Sequence, residues 1–211
     1  MIEFAAVILG SYLIGSIPSG FIAGKLKGVD VRQYGSGKTG SANVMRTIGR
    51  KAAAAVFMAD VLKGVSAVFL AGYTIGSPVA EMAAGFAAIA GHDWSVFMRF
   101  QGGRGVATSL GGQFAILAWV GFAGLGVFAL LLVVFRYVSL ASLLGAFSAV
   151  AIMIALTVLG LVPYHYLIYT AVAVSVIFIQ HRDNISRLLS GSELKLGEKG
   201  ERRQEIDAQA G

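Results

Sequence analysis

The stretch Val106–Phe135, VATSLGGQFAILAWVGFAGLGVFALLLVVF, decides how this chain is arranged. As one straight helix its thirty residues run about 45 Å, against a bilayer hydrocarbon core of about 30 Å. It holds the glycine pair Gly111-Gly112 and three further glycines at 121, 124 and 126. The segment is therefore expected to break near Gln113–Gly121 into a short fourth helix and a full fifth one. Around it lie other apolar runs: Met1–Ala23, Ala52–Ile75, Val79–Phe100, Val138–Val162 and Tyr164–Gln180. Over 211 residues, 56% are hydrophobic and only 13% charged, about half the charge of a soluble domain. That composition excludes a soluble enzyme, a disordered chain and, with no cysteine, a disulfide scaffold.

Charge fixes the expected orientation. Between Gly24 and Lys51 seven basic residues face the single acid Asp30, a surplus of +6. That equals the net charge of the whole chain, because six basic and six acidic residues balance in the tail from His181 on. Under the positive-inside rule the 24–51 loop lies inside. The first span is then a retained helix, not a cleaved signal, with its N-terminus outside. If Val106–Phe135 crosses once, Arg136 and the tail fall outside; if it reverses, both fall inside. The reading is an all-α polytopic protein with about seven transmembrane helices, N-terminus out and C-terminus in; six spans is the alternative. Residues 1–192 form one membrane domain, and 193–211 a charged, disordered cytoplasmic tail.

Three polar segments then share one face: Gly35–Arg46 (GSGKTGSANVMR), Phe100–Thr108 (FQGGRGVAT) and His181–Leu188 (HRDNISRL). The first looks like the end of a nucleotide-binding phosphate loop, but Arg32 stands where its leading glycine belongs and the αβ context is missing. Its glycines still offer N–H groups to an oxyanion. Cations and neutral donors dominate the set: Ser36, Lys38, Thr39, Ser41, Asn43, Arg46, Arg104, Thr108, His181, Arg182 and Asn184. Such a group recognises phosphate. Without paired carboxylates or a His cluster it suits neither a metal nor glycoside hydrolysis. No metal, organic cofactor or nucleic acid is expected. Within the spans, Asp60 and Lys63 fall on one helix face and read equally as a functional or a structural pair. His92 beside Asp93 reads as packing, and Glu81 shows no evident partner.

Five motifs in order give these segments a family likeness: GSGxxGxxNVxRxxG from Gly35, DxLKG at Asp60–Gly64, GHxxxVFxxFxGGxGVAT at Gly91–Thr108, YVSLAS at Tyr137–Ser142, and HRxNIxRLLxGxE at His181–Glu193. The chain resembles the bacterial membrane acyl-phosphate:glycerol-3-phosphate acyltransferases. The resemblance implies a seven-helix fold in the bacterial inner membrane with its active site towards the cytoplasm. It implies transfer of a fatty acyl group from acyl-phosphate to the 1-hydroxyl of glycerol 3-phosphate. Lysophosphatidic acid and phosphate are the products, and an upstream acyl-phosphate-forming enzyme is a possible partner beside membrane lipid. It assigns Ser36, Arg104, His181 and Asn184 to catalysis. Gly35, Gly37, Lys38, Asn43, Arg46, Gly102, Gly103 and Ser142 are assigned to substrate and phosphate binding. Three positions depart from the family pattern: Lys38 for Asn, Gln101 for Lys and Arg104 for Lys. A small transporter for an organic phosphate anion is the rival reading, although the chain shows no inverted halves.

Overall fold

A computed structural model describes residues 1–198 and 200, and within them the chain is built of α-helices joined by turns and loops, two of which hold a short 3-10 turn. Nine α-helices follow one another among the described residues: α1 (Ile2–Ser16), α2 (Ser19–Lys25), α3 (Ser41–Ile48), α4 (Arg50–Thr74), α5 (Pro78–Asp93), α6 (Val106–Phe135), α7 (Val138–Val158), α8 (Tyr164–Gln180) and α9 (Arg182–Leu189). The pair α1–α2 and the helices α4, α6 and α7 are long and apolar enough to cross a bilayer, and α8 is a shorter apolar helix. Pro18, which lacks an N–H, separates α1 from α2. The carbonyl freed at Ile17 accepts a hydrogen bond from the Lys63 ammonium of α4. Ser77 caps α5 by accepting from the Ala80 N–H.

In α6 the backbone leaves the helical region at Leu117 (φ −153°, ψ 94°), inside the interval where a break is expected. The rings of Phe114 and Phe122 lie 4.9 Å apart across it, whereas eight residues of straight helix rise about 12 Å. Both ends of α6 also reach the same rim. Arg104, just before it, lines one cavity with Arg46 and Ser139. Arg136, just after it, accepts from the Leu196 N–H at 2.6 Å. The chain therefore turns back at Leu117. The arm 106–116 is about 16 Å long and the arm 118–135 about 27 Å.

Small residues let these helices touch, because lipid supplies no hydrophobic drive to associate them and close packing must do so. A Cβ on Gly64 would lie 2.0 Å from the Thr108 carbonyl, and one on Gly111 2.0 Å from that of Val61, so α4 and the first arm of α6 meet backbone to backbone. Gly15 meets Ala88 in the same way where α1 crosses α5. The second arm packs on α7, where Val120, Ala149 and Met153 form a buried cluster.

Two expectations change at this level. Glu193, assigned to a solvated tail, is buried at 5% exposure, because three donors converge on its carboxylate. The chain as far as Leu196 packs back on α3 and on the α6–α7 junction. The rest of the expected disordered tail, at 199 and 201–211, lies outside the described residues. Glu81 finds its partner in the Tyr166 hydroxyl, which donates to it at 2.8 Å.

Gly64→Val should cost about 3 kcal/mol or more, because the added atoms meet backbone that cannot yield. Gly126→Ala, whose new methyl meets open space, should stay within about 1 kcal/mol of wild type. Thermal unfolding in detergent checks both, and a wild-type melting temperature for Gly64→Val would contradict the α4–α6 packing.

Candidate active site

The three polar segments meet in a single cavity of about 150 Å³. Ser36, Lys38, Asn43, Arg46, Arg104, Ser142, His181, Asn184 and Glu193 line its rim. Phe57, Leu110, Val120, Leu125, Phe128 and Ile177 line its apolar depth.

The loop before α3 is built by Asn43. Its side-chain amide donates to the carbonyls of Val31 (2.8 Å) and Lys38 (2.9 Å), and its carbonyl oxygen accepts from the Ser36 N–H at 3.1 Å. Every strong site of this amide is thus engaged by backbone. Asn43 thus shapes the loop while it lines the cavity. Gly35 and Gly37 have φ of +51° and +68°, which glycine adopts without strain. They allow the turn that brings Ser36 and Lys38 to the rim. Gly102 and Gly103 do not line the rim cavity. A Cβ on either would fall about 2 Å from His92, at its carbonyl and its ring Nε2 respectively. Both pack closely against His92, and Arg104 follows them directly.

The cations are left open. Arg46, in α3, donates one N–H to the Leu194 carbonyl at 2.9 Å, while its buried Nε has no partner among the described residues. The buried Nε of Arg104 has none either. Burial lowers the pKa of Lys38, with Arg104 adding repulsion, and burial lowers that of Arg46. Burial and then Arg187 bring Arg104 to about 10. At about 10, Arg104 remains charged at neutral pH. The Glu193 carboxylate on this rim is committed. Its Oε1 accepts from Ser139 and Asn184 and its Oε2 from Arg187, each at 2.7 Å. Burial raises its pKa, but these three donors outweigh burial and hold it low. An anion is what this rim lacks.

Two acceptors stand among the donors. His181 Nδ1 lies 2.8 Å from the Ile177 carbonyl. A carbonyl only accepts, so the proton is on Nδ1 and the Nε2 lone pair is free. Burial, then Arg104, bring the His181 pKa to about 4, so the ring is neutral. Asn184 gives its amide N–H to Glu193, and its buried carbonyl oxygen has no partner among the described residues. Ser142 donates to the Val138 carbonyl at 2.8 Å and keeps its lone pairs. Such acceptors suit the hydroxyl of a substrate. Glu193, which fixes the Asn184 amide, escaped the list of candidates although it closes the last motif. Its charged surroundings in sequence read as solvated. Among the described residues no group of three or more His, Asp or Glu residues stands close enough to hold a metal.

Comparison with known proteins agrees with this geometry. The family model for Glycerol-3-phosphate acyltransferase matches residues 5–191. Glycerol-3-phosphate acyltransferase 3 of Dehalococcoides mccartyi is 44% identical over 206 residues, which cover 92% of this chain and 95% of the relative. A glycerol-3-phosphate acyltransferase of Prochlorococcus marinus is 41% identical over 91% of this chain and 98% of its own. The crystal structure of PlsY, an integral membrane glycerol 3-phosphate acyltransferase, in its glycerol 3-phosphate form superposes with a TM-score of 0.85. It is 39% identical, covering 92% of this chain and 96% of that one. Its lysophosphatidic acid form gives a TM-score of 0.83 at 38% identity.

A pH dependence of stability follows from His181. Its folded pKa of about 4 lies below the ordinary 6.5, so the unfolded chain binds the extra proton between those values. Stability should be full above about pH 6.5 and fall as pH drops towards about 4. Unfolding in detergent across that range should show the slope in wild type and a shallower one in His181→Gln.

Proposed function

The chain belongs to the glycerol-3-phosphate acyltransferase family, and from that premise we propose that it transfers a fatty acyl group from acyl-phosphate to the 1-hydroxyl of glycerol 3-phosphate. The products are lysophosphatidic acid and inorganic phosphate. The observation that carries this reading is that the Nε groups of Arg46 and Arg104 and the Asn184 oxygen, without partners among the described residues, share one rim with the His181 Nε2 lone pair above an apolar chamber. The cations take phosphate, the acceptors take a hydroxyl, and the chamber takes an acyl chain.

In the bilayer, the first helix starts outside and the rim faces the cytoplasm of a bacterial inner membrane. The two arms of α6 make the fourth and fifth of seven helices. The surplus of basic residues in the 24–51 loop supports that orientation. Acyl-phosphate made by an upstream enzyme reaches the rim with its chain in the chamber.

The donor is a mixed anhydride with a good leaving group, so the protein's task is to hold two anions together. Lys38, Arg46 and Arg104 offset their repulsion, and positioning of this kind lowers a barrier by about 7–11 kcal/mol. Asn184 Oδ1 or His181 Nε2 accepts from the acceptor hydroxyl and aims its oxygen at the acyl carbon. As the C–O bond forms, the carbonyl oxygen gains charge beside the Ser36 hydroxyl and the Lys38 ammonium, where one well-placed donor is worth about 3–4 kcal/mol. The acyl carbon then releases phosphate. A neutral imidazole with a pKa of about 4 is too weak to hold the hydroxyl proton at neutral pH. The proton leaves on a substrate phosphate, so His181 orients and does not abstract.

Purified protein given acyl-phosphate and glycerol 3-phosphate should release phosphate and form lysophosphatidic acid. Asn184→Ala should lower kcat/KM about 100-fold. Folded protein that turns over no acyl chain length would reject the activity, and unchanged kinetics in Asn184→Ala would reject the site.

A further inference from the structure

Asp60 and His92 touch no phosphate in the reading above, yet both face the cavity wall. Asp60 is 1% exposed in α4. Its Oδ1 accepts from the Lys63 ammonium at 2.6 Å and from the Ser19 hydroxyl, and lies 3.6 Å from His92 Nδ1. Neutralising a buried carboxylate needs only the lysine. The third partner has another consequence. A carboxylate facing Nδ1 selects the ring orientation in which Nε2 points the other way, and there it meets Gly103. The His92 carbonyl also accepts from the Gly103 N–H at 3.0 Å. Both polar ends of His92 therefore bear on the same turn, and the next residue is Arg104.

Among the described residues no hydrogen bond or ion pair holds the Arg104 side chain, and its Nε is buried without a partner. Where its guanidinium points is thus inherited from its backbone. The geometry points to Asp60 and His92 as a positioning pair: through the Gly102–Gly103 turn they set the place of the Arg104 cation. This rests on the acyltransferase reading, since it concerns how the rim holds a phosphorylated substrate. It also separates two tasks of one cluster. Lys63 ties α4 to the α1–α2 break through the Ile17 carbonyl, while His92 ties the same carboxylate to the site.

The test compares Asp60→Asn and His92→Gln in wild type and in Arg104→Ala. Binding of glycerol 3-phosphate and of acyl-phosphate is read separately by calorimetry on detergent-purified full-length protein, so no turnover is required. In the wild-type background each change should weaken binding of at least one of the two about tenfold, and should raise its KM more than it lowers kcat. In the Arg104→Ala background the same change should weaken binding less than about twofold, because residues acting through one group are not additive. Equal losses in both backgrounds, or unchanged binding in the wild-type background, would overturn the pair. If Asp60→Asn does not fold with Lys63 unpaired, His92→Gln decides by the same criteria. Wild-type protein is assayed alongside: its failure to turn over counts against the acyltransferase reading, whereas normal turnover with equal losses counts only against the pair.

Discussion

The rest of the structure depends on holding several cations close together away from bulk water. Lys38, Arg46 and Arg104 share one cavity wall, and burial presses on all three. Like charges at such a site repel more strongly than in water. The Glu193 carboxylate offsets part of this at Arg46 and Arg104, but its own hydrogen bonds go to Ser139, Asn184 and Arg187. The repulsion is tolerated because each cation hangs from a scaffold anchored elsewhere. Asn43 fixes the loop of Lys38, the Leu194 carbonyl holds Arg46, and the glycine turn against His92 carries Arg104. In the proposed reaction a phosphorylated substrate relieves the repulsion on arrival. The binding energy is thus prepared in the fold before any ligand enters.

That scaffold explains why the chain must reverse inside the membrane. Arg104 and Ser139 stand at opposite ends of α6 and its following turn, and they face one cavity. A straight α6 would hold them some 45 Å apart. The non-helical Leu117 brings the second arm back, and the arm delivers α7 with Ser139 and Ser142 to the same rim. Backbone contacts at Gly64 and Gly111 then lock the first arm on α4. The packing of small residues within the spans is therefore linked to the chemistry at the rim.

Much of this was legible in the residues. The apolar runs gave the class, and the length and charge flanks of Val106–Phe135 gave the break. The cationic polar segments pointed to phosphate. What sequence could not convey is which atom of a polar residue is free. Asn43 and Asn184 carry the same side chain, yet the first uses both ends on its own loop and the second keeps its oxygen for the cavity. Gly102 and Gly103 have the composition of an anion loop but make room for His92. Glu193 was hidden by charged neighbours, since a charged run reads as solvated until something folds back to bury one member of it. The Asp60–Lys63 spacing gave the pair itself, but its third partner comes from another helix and leaves no mark in local spacing.

The neutral acceptors complete the argument for a transfer reaction over simple anion passage. A pore or carrier for an organic phosphate needs donors along its path, and an inward acceptor there would repel the anion. Here Asn184 Oδ1 and His181 Nε2 stand within the cationic rim, each held with its lone pair outward by a hydrogen bond on its opposite side. That arrangement favours a hydroxyl at one defined place beside a phosphate. The apolar chamber opens from the same cavity, so an acyl chain lying in it brings its carboxyl carbon to the boundary between the two surfaces. In the proposed reaction the hydroxyl and the activated carbonyl would meet where the polar rim ends, and bond exchange would need little more than their alignment and the departure of phosphate.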